Sequence, residues 1–297
     1  MDELQAKVEA ELEAPLFQEV ALATPGGRWH LLPMDLQLRG KRALVTGSTA
    51  GIGLAIAVDL AREGVEVFLN GRTRERVDAA IDRVRTEASG ARVDGIVADL
   101  NSARGADTIT ARLPETDILV NNVGTFKSVP FEQIDDAAWI HLFETNVMSG
   151  VRLSRHYFPR MLKRGWGRIL FISSESALQI PPEMIHYGVT KTAELALARG
   201  LAELTVGTSV TVNAVLPGPT RSEGVGSFVE GLARQQGKDA SQVEKEFFRH
   251  MRPTSLLQRF AEPAEVAHLV TFLASPLASA TNGAAVRVDG GVVRAIV

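Results

Sequence analysis

No cysteine occurs among the 297 residues, so disulfides, thiolate metal ligands and a cysteine nucleophile are excluded, and the chain suits a reducing compartment. The six histidines are scattered and form neither an HExxH nor an HxH pair, which leaves a catalytic metal without a signature. Nowhere do 18 apolar residues follow one another, and the start, Met1-Asp2-Glu3-Leu4, is acidic with no basic segment or apolar run. Both absences point to a cytoplasmic protein with no membrane span. Nor is positive charge in excess: 32 Lys and Arg against 35 Asp and Glu leave a formal net charge of -3, which offers no general attraction to nucleic acid or to an anionic membrane. No Pro/Ser-rich linker divides the chain after residue 33, so residues 34–297 read as one domain.

Residues 1–33 form a separate N-terminal arm in this reading. Leu4, Val8 and Leu12 recur on one helical face, Pro15 ends that pattern, and Pro25-Gly26-Gly27 marks a turn. From Arg42 onward, short runs rich in Val, Ile and Leu alternate with amphipathic segments, the pattern of βαβ units. Strands are expected at 43–45, 65–69, 93–97, 118–120, 168–172, 210–215 and 285–288, and helices at 50–63, 74–88, 135–163, 186–205 and 262–274. The expected class is α/β, a doubly wound Rossmann-type parallel sheet of about seven strands flanked by helices. A stretch at about 221–253 interrupts the alternation with Gly224, Gly226, Gly231 and Gly237 and a charged helical run, Ser241 to Glu246. It reads either as an insertion over a substrate site or as a surface hairpin.

The first strand runs into Thr46-Gly47-Ser48-Thr49-Ala50-Gly51-Ile52-Gly53 and then into a helix. Glycines there permit a tight turn and close backbone approach, while a helix N-terminus presents free N–H groups to a pyrophosphate. Gly47, Ser48, Thr49, Gly51, Ile52 and Gly53 are therefore candidate cofactor contacts. The second strand ends Leu69-Asn70-Gly71-Arg72, with no carboxylate to hold an adenosine ribose hydroxyl and with an Arg able to pair with a 2′-phosphate or stack on the adenine. NADP(H) is accordingly expected in preference to NAD(H), with Arg72 as its determinant.

Tyr187 and Lys191 lie four apart, hence on one helical face. A phenol is a weak base at neutral pH, and a nearby ammonium stabilises its phenolate, so the pair suits proton exchange at a reacting oxygen. The spacing GxxxGxG, followed in order by Asn121-Asn122-Val123-Gly124, Asn146, Ser174, YxxxK and Pro217-Gly218-Pro219-Thr220, resembles the short-chain dehydrogenase/reductase family over residues 39–291. The arm lies outside that resemblance.

The resemblance implies roles for further residues. Asp99 and Leu100 would border the adenine, Asp99 alternatively capping the next helix; Asn122 and Gly124 would pack against the cofactor; and Pro217, Gly218 and Thr220 would border the nicotinamide. Ser174, 13 positions before Tyr187, would hold the substrate oxygen, Lys191 would also bind the nicotinamide ribose, and Asn146 would support a water-linked proton path. Glu175, Glu183, Met184 and His186 depart from the pattern and either shape the pocket or face solvent. Homo-oligomers, often tetramers, are implied as well.

These readings converge on an NADP(H)-dependent enzyme that interconverts a carbonyl and a secondary alcohol of a small molecule. A 3-oxoacyl thioester reductase is the narrower alternative, with Arg155, Arg160, Lys163 and Arg164 as a basic patch for an acidic carrier. A non-catalytic cofactor sensor is the other, and it has no need of the proton donor.

Overall fold

The computed structural model describes residues 34–296 apart from 223, 224, 227–230, 232, 235 and 236. The arm at 1–33 and, within the insertion, Gly224 and Phe228 lie outside the described residues. Seven strands are present: β1 (Arg42–Val45), β2 (Glu66–Gly71), β3 (Val93–Val97), β4 (Ile118–Asn121), β5 (Trp166–Ile172), β6 (Ser209–Pro217) and β7 (Ala285–Val288). All pair in parallel, in the order β3-β2-β1-β4-β5-β6-β7. The chain builds outward from β1 to β3, returns beside β1 with β4 and then builds the other way. The crevice between β1 and β4, at the C-terminal ends of the strands, is thus a topological switch point, where such sheets bind ligands.

Strand residues alternate between two buried faces. Ala43 and Val45 join Val67, Leu69, Val120 and Ile172 under α1 (Gly51–Arg62), α2 (Arg74–Glu87) and α8 (Pro263–Ala274). Leu44, Phe68, Leu119, Ile169 and Phe171 pack the opposite face under α3 (Ala103–Arg112), α5 (Ser149–Arg164) and α6 (Ile185–Glu203). Burial on both faces explains why the strands read as continuous apolar runs and not as alternating ones. The described residues from Leu36 onward form one compact unit.

The long helix expected at 135–163 is broken. After α4 (Asp136–Phe143) the backbone widens into a π-helical turn, Glu144–Met148, before α5 begins. Asn146 stands in the middle of that turn. Such wide turns inside helices recur at functional sites because they re-aim a side chain. In the insertion the charged run forms α7 (Ala240–His250), started by a reciprocal capping box between Asp239 and Gln242.

Candidate functional site

The glycine turn after β1 is held from below by a polar latch. Gly47 adopts φ +59, a left-handed conformation that glycine takes without strain. The Asn122 side-chain amide donates to Thr46 O at 2.9 Å and Gly47 O at 3.0 Å, and Thr46 Oγ1 accepts from the backbone N–H groups of Asn122 and Val123. Buried Asn70 accepts from Gly47 N through Oδ1 and donates through Nδ2 to Ile96 O and Ala98 O, tying the turn to β2 and β3. Ser48 differs from expectation. Its hydroxyl donates to Val45 O at 2.7 Å and accepts from Asn70 N, and the residue is fully buried, so its side chain belongs to the latch and has no proton left for a cofactor phosphate.

Above the latch the turn is open to a ligand. Helices α2, α3 and α4 begin on side-chain caps from Thr73, Ser102 and Asp135, whereas α1 begins at Ala50 with no side-chain acceptor for its first-turn amides. Those amides, from Gly51, Ile52 and Gly53, are donors suited to a pyrophosphate, with Thr49 at the rim. Arg72, just past β2, is exposed and has no ion-pair partner among the described residues. Asp99 accepts from Asn101 N, while Ser102 caps α3, so the alternative of Asp99 as the helix cap does not hold; Leu100 is buried beside it.

Ser174, Tyr187, Pro217, Gly218 and Thr220 line one cleft of about 340 Å³, and Ile52 of the glycine turn lines it too. Lys191 is buried beside Tyr187, its ammonium 5.8 Å from the phenol ring centroid. Gly124 leaves room there, since a Cβ at that position would lie 3.3 Å from Lys191 Nζ and 3.7 Å from Asn146 Oδ1. The Asn146 carboxamide is fully engaged: Oδ1 accepts from Thr125 N, and Nδ2 donates to Thr125 O and Thr190 Oγ1. It ties the loop after β4 to α6 one residue before Lys191. Thr220 Oγ1 donates to Gly218 O, closing its own turn.

Two carboxylates missing from the sequence-based set complete this site. Glu194, one helical turn after Lys191, receives its ammonium at 3.0 and 3.1 Å, both side chains being buried, and Lys191 also donates to Ile172 O at 2.9 Å. Glu175 is buried in the cleft wall, where it accepts from Ser174 Oγ at 2.5 Å and from Arg252 Nε at 3.2 Å. His186, another of the departures noted in the sequence, is buried edge-on against Trp139, and burial first, then Lys127, depresses its basicity.

Burial raises the Tyr187 phenol above its ordinary value; Lys191 opposes this, while Glu175 and Glu194 reinforce it. The ammonium therefore limits the cost of ionising Tyr187 without reversing it. Burial also lifts the Glu194 carboxyl from 4.5 to about 7 against the pull of Lys191. The folded carboxyl keeps its proton where an unfolded one has lost it, so Glu194 favours the fold below about pH 4.5, and that contribution is lost as pH rises to about 7. In the cofactor-free protein, Glu194→Gln, which copies the protonated form, is expected to gain melting temperature relative to wild type between about pH 5 and pH 8. Calorimetry giving a constant difference across that range contradicts the assignment.

The insertion's aromatic residues divide their duties. Phe248 packs a small core with Ala233, Val243 and, from beyond the insertion, Phe260, while Phe247 and Phe260 also face the cleft. Of the basic residues on α5, Arg164 is already paired with Glu115 and Asp117. No group of His, Asp and Glu suited to a metal ion occurs among the described residues, and no helix there is long and apolar enough to cross a membrane.

Comparison with known proteins places the chain among enzymes. A family model described as short chain dehydrogenase matches residues 41–232. The oxidoreductase YvaG of Bacillus subtilis is 48% identical over 263 residues, covering 89% of this chain and all of the relative. The 3-oxoacyl-[acyl-carrier-protein] reductase FabG of Aquifex aeolicus is 32% identical over 263 residues, covering 87% of this chain and 100% of its own. Among solved structures, L-sorbose reductase from Gluconobacter frateurii, complexed with NADPH and L-sorbose, superposes with a TM-score of 0.83 at 31% identity, over 89% of this chain and 100% of the other.

Proposed function

The chain belongs to the short-chain dehydrogenase/reductase family, and on that premise we propose that it is an NADP(H)-dependent oxidoreductase interconverting a carbonyl and a secondary alcohol. One observation carries this reading: Ser174 and Tyr187 face a single cleft that ends at an uncapped glycine turn, with Lys191 buried directly behind the phenol. The uncapped α1 amides fit the pyrophosphate of a dinucleotide. A nicotinamide bound there supplies the hydride to the carbonyl carbon. In that direction Tyr187 gives its phenol proton to the carbonyl oxygen, and Lys191 stabilises the phenolate left behind. Ser174 holds the substrate oxygen, and Asn146 keeps the loop carrying Gly124 in register with α6.

The preference for NADP(H) rests on β2 ending in Asn70-Gly71-Arg72. Asn70 is consumed by the latch, no carboxylate follows, and the exposed Arg72 guanidinium is available to a 2′-phosphate. The relative that carries NADPH, and a putative gluconate 5-dehydrogenase from Beutenbergia cavernae with bound NADP, are in keeping with it. Arg72→Asp is expected to lower the ratio of kcat/KM for NADPH over NADH by about tenfold or more, since it removes a charge-assisted contact and adds repulsion. Steady-state rates with both nucleotides give the ratio; an unchanged ratio removes Arg72 from the role.

A further inference from the structure

The hydrogen bonds around Ser174 constrain what the cleft can reduce well. A serine hydroxyl has one proton to give. The Ser174 oxygen accepts from Ser176 N at 3.1 Å, and its only proton goes to Glu175 Oε2 at 2.5 Å. As it stands, Ser174 has nothing to donate to a carbonyl oxygen. Glu175 cannot swing away freely, because Arg252 Nε holds its other oxygen at 3.2 Å, and Arg252 is itself fixed by Met251 O at 2.8 Å and by Glu183 at 3.5 Å. Glu175 and Arg252 are both buried in the cleft wall, and Arg252 reaches Glu175 from the end of α7 in the insertion, 77 positions along the chain.

We propose that Glu175, clamped by Arg252, is the specificity-determining residue of this cleft and receives a hydroxyl on the carbon next to the reacting carbonyl. The preferred substrates are then neutral α-hydroxycarbonyl compounds. The inference rests on the reductase reading above and names its substrate class. Glu175 Oε2 lies one hydrogen bond from the Ser174 hydroxyl, so it stands within hydrogen-bond reach of the oxygen on the carbon next to a carbonyl held by Ser174. An ionised carboxylate has about four acceptor sites, and Ser174 and Arg252 occupy two. A substrate hydroxyl that donates to the free lone pair of Oε2 offsets the bond given up when the Ser174 proton turns from Glu175 to the carbonyl oxygen. A plain ketone brings no such donor and leaves Ser174 bound to Glu175. A carboxylate in the same place meets the Glu175 charge, and Arg252, engaged by two carboxylates, is not free to receive it.

The redox step balances without another reactant: hydride passes from NADPH to the carbonyl carbon, a proton passes from Tyr187 to the oxygen, and solvent restores the phenol.

The test compares 1-hydroxy-2-butanone, 2-butanone and 2-oxobutanoate as substrates with NADPH. Wild type is expected to favour the hydroxyketone over the plain ketone by about tenfold or more in kcat/KM, with the oxoacid poorest. In Glu175→Gln the preference shrinks, and in the double variant Glu175→Ala with Arg252→Leu, which removes both charges together, it collapses toward unity. Wild type that reduces 2-butanone as well as the hydroxyketone, or prefers 2-oxobutanoate, overturns this inference and leaves the reductase reading standing. A preference that survives in the double variant likewise overturns it. A protein that binds NADPH and reduces none of the three overturns the reductase reading, and this inference with it.

Discussion

Tyr187→Phe is expected to lower kcat/KM for carbonyl reduction by about 10³-fold, the middle of the range for losing a positioned proton donor, while NADPH affinity changes little. The substitution keeps the ring and its edge contact with Phe126, whose centroid is 6.0 Å away, and removes only the hydroxyl. The alkoxide formed by hydride transfer then has no acid beside it, in a cleft walled largely by apolar side chains such as Phe126, Met184 and Phe247. Ser174 cannot take over, because a neutral serine is too weak an acid to protonate the alkoxide and can only hydrogen-bond to it. Steady-state kinetics together with a fluorescence titration of NADPH separate the two effects. Activity within about tenfold of wild type would remove Tyr187 from the role of acid.

The second large effect is expected from Gly53→Ala. A Cβ on Gly53 would lie 2.5 Å from Asn122 Nδ2, 2.6 Å from Gly47 O and 2.9 Å from Ser48 Cα. Two of these neighbours are backbone of the glycine turn and the third is the amide that holds that turn, so nothing nearby is the free end of a flexible side chain. Either Asn122 gives up its bonds to Thr46 O and Gly47 O or the first turn of α1 is pushed away from β1. Both outcomes spoil the alignment of N–H groups offered to a pyrophosphate. NADPH affinity is expected to fall by about 100-fold, and stability by about 1–3 kcal/mol, the usual cost of overpacking a rigid site. Titration and thermal melting measure the two; an affinity within about threefold of wild type would mean that the turn does not bind the pyrophosphate in the way described.

Much of this architecture is legible in the sequence because parallel strands buried on both faces leave an unmistakable trace, a short aliphatic run cut off by glycine or a polar turn. Strands at Val93–Val97 and Ala285–Val288 fall where the pattern puts them. Helix α3 does not announce itself, since only Gly105, Ala106 and Ile109 are buried and its interior carries glycine and β-branched residues. The wide turn at Glu144–Met148 is invisible for another reason: a single Asn in an amphipathic run does not reveal that Thr125 and Thr190 will claim its carboxamide.

In the site, motifs spaced along one helix or turn are readable, and contacts across the fold are not. Tyr187 and Lys191 follow from helical spacing, and Glu194 could have been found by the same rule, since three residues beyond Lys191 is again the same face. The partnership of Glu175 with Arg252 depends on how the insertion folds back over the cleft, which local periodicity does not encode. Ser48 shows the converse limit. A serine in a phosphate-binding turn has the same sequence appearance whether its hydroxyl points to the ligand or, as here, into the sheet.

The most direct test of the account follows the hydride itself. With NADPH deuterated at both C4 positions and 1-hydroxy-2-butanone as acceptor, mass spectrometry of the product diol is expected to find one deuterium, on the new carbinol carbon, formed by the wild-type protein and nearly absent with Tyr187→Phe. NADPH that binds and is not oxidised, or a diol without deuterium, would contradict direct hydride transfer to a carbonyl in this cleft.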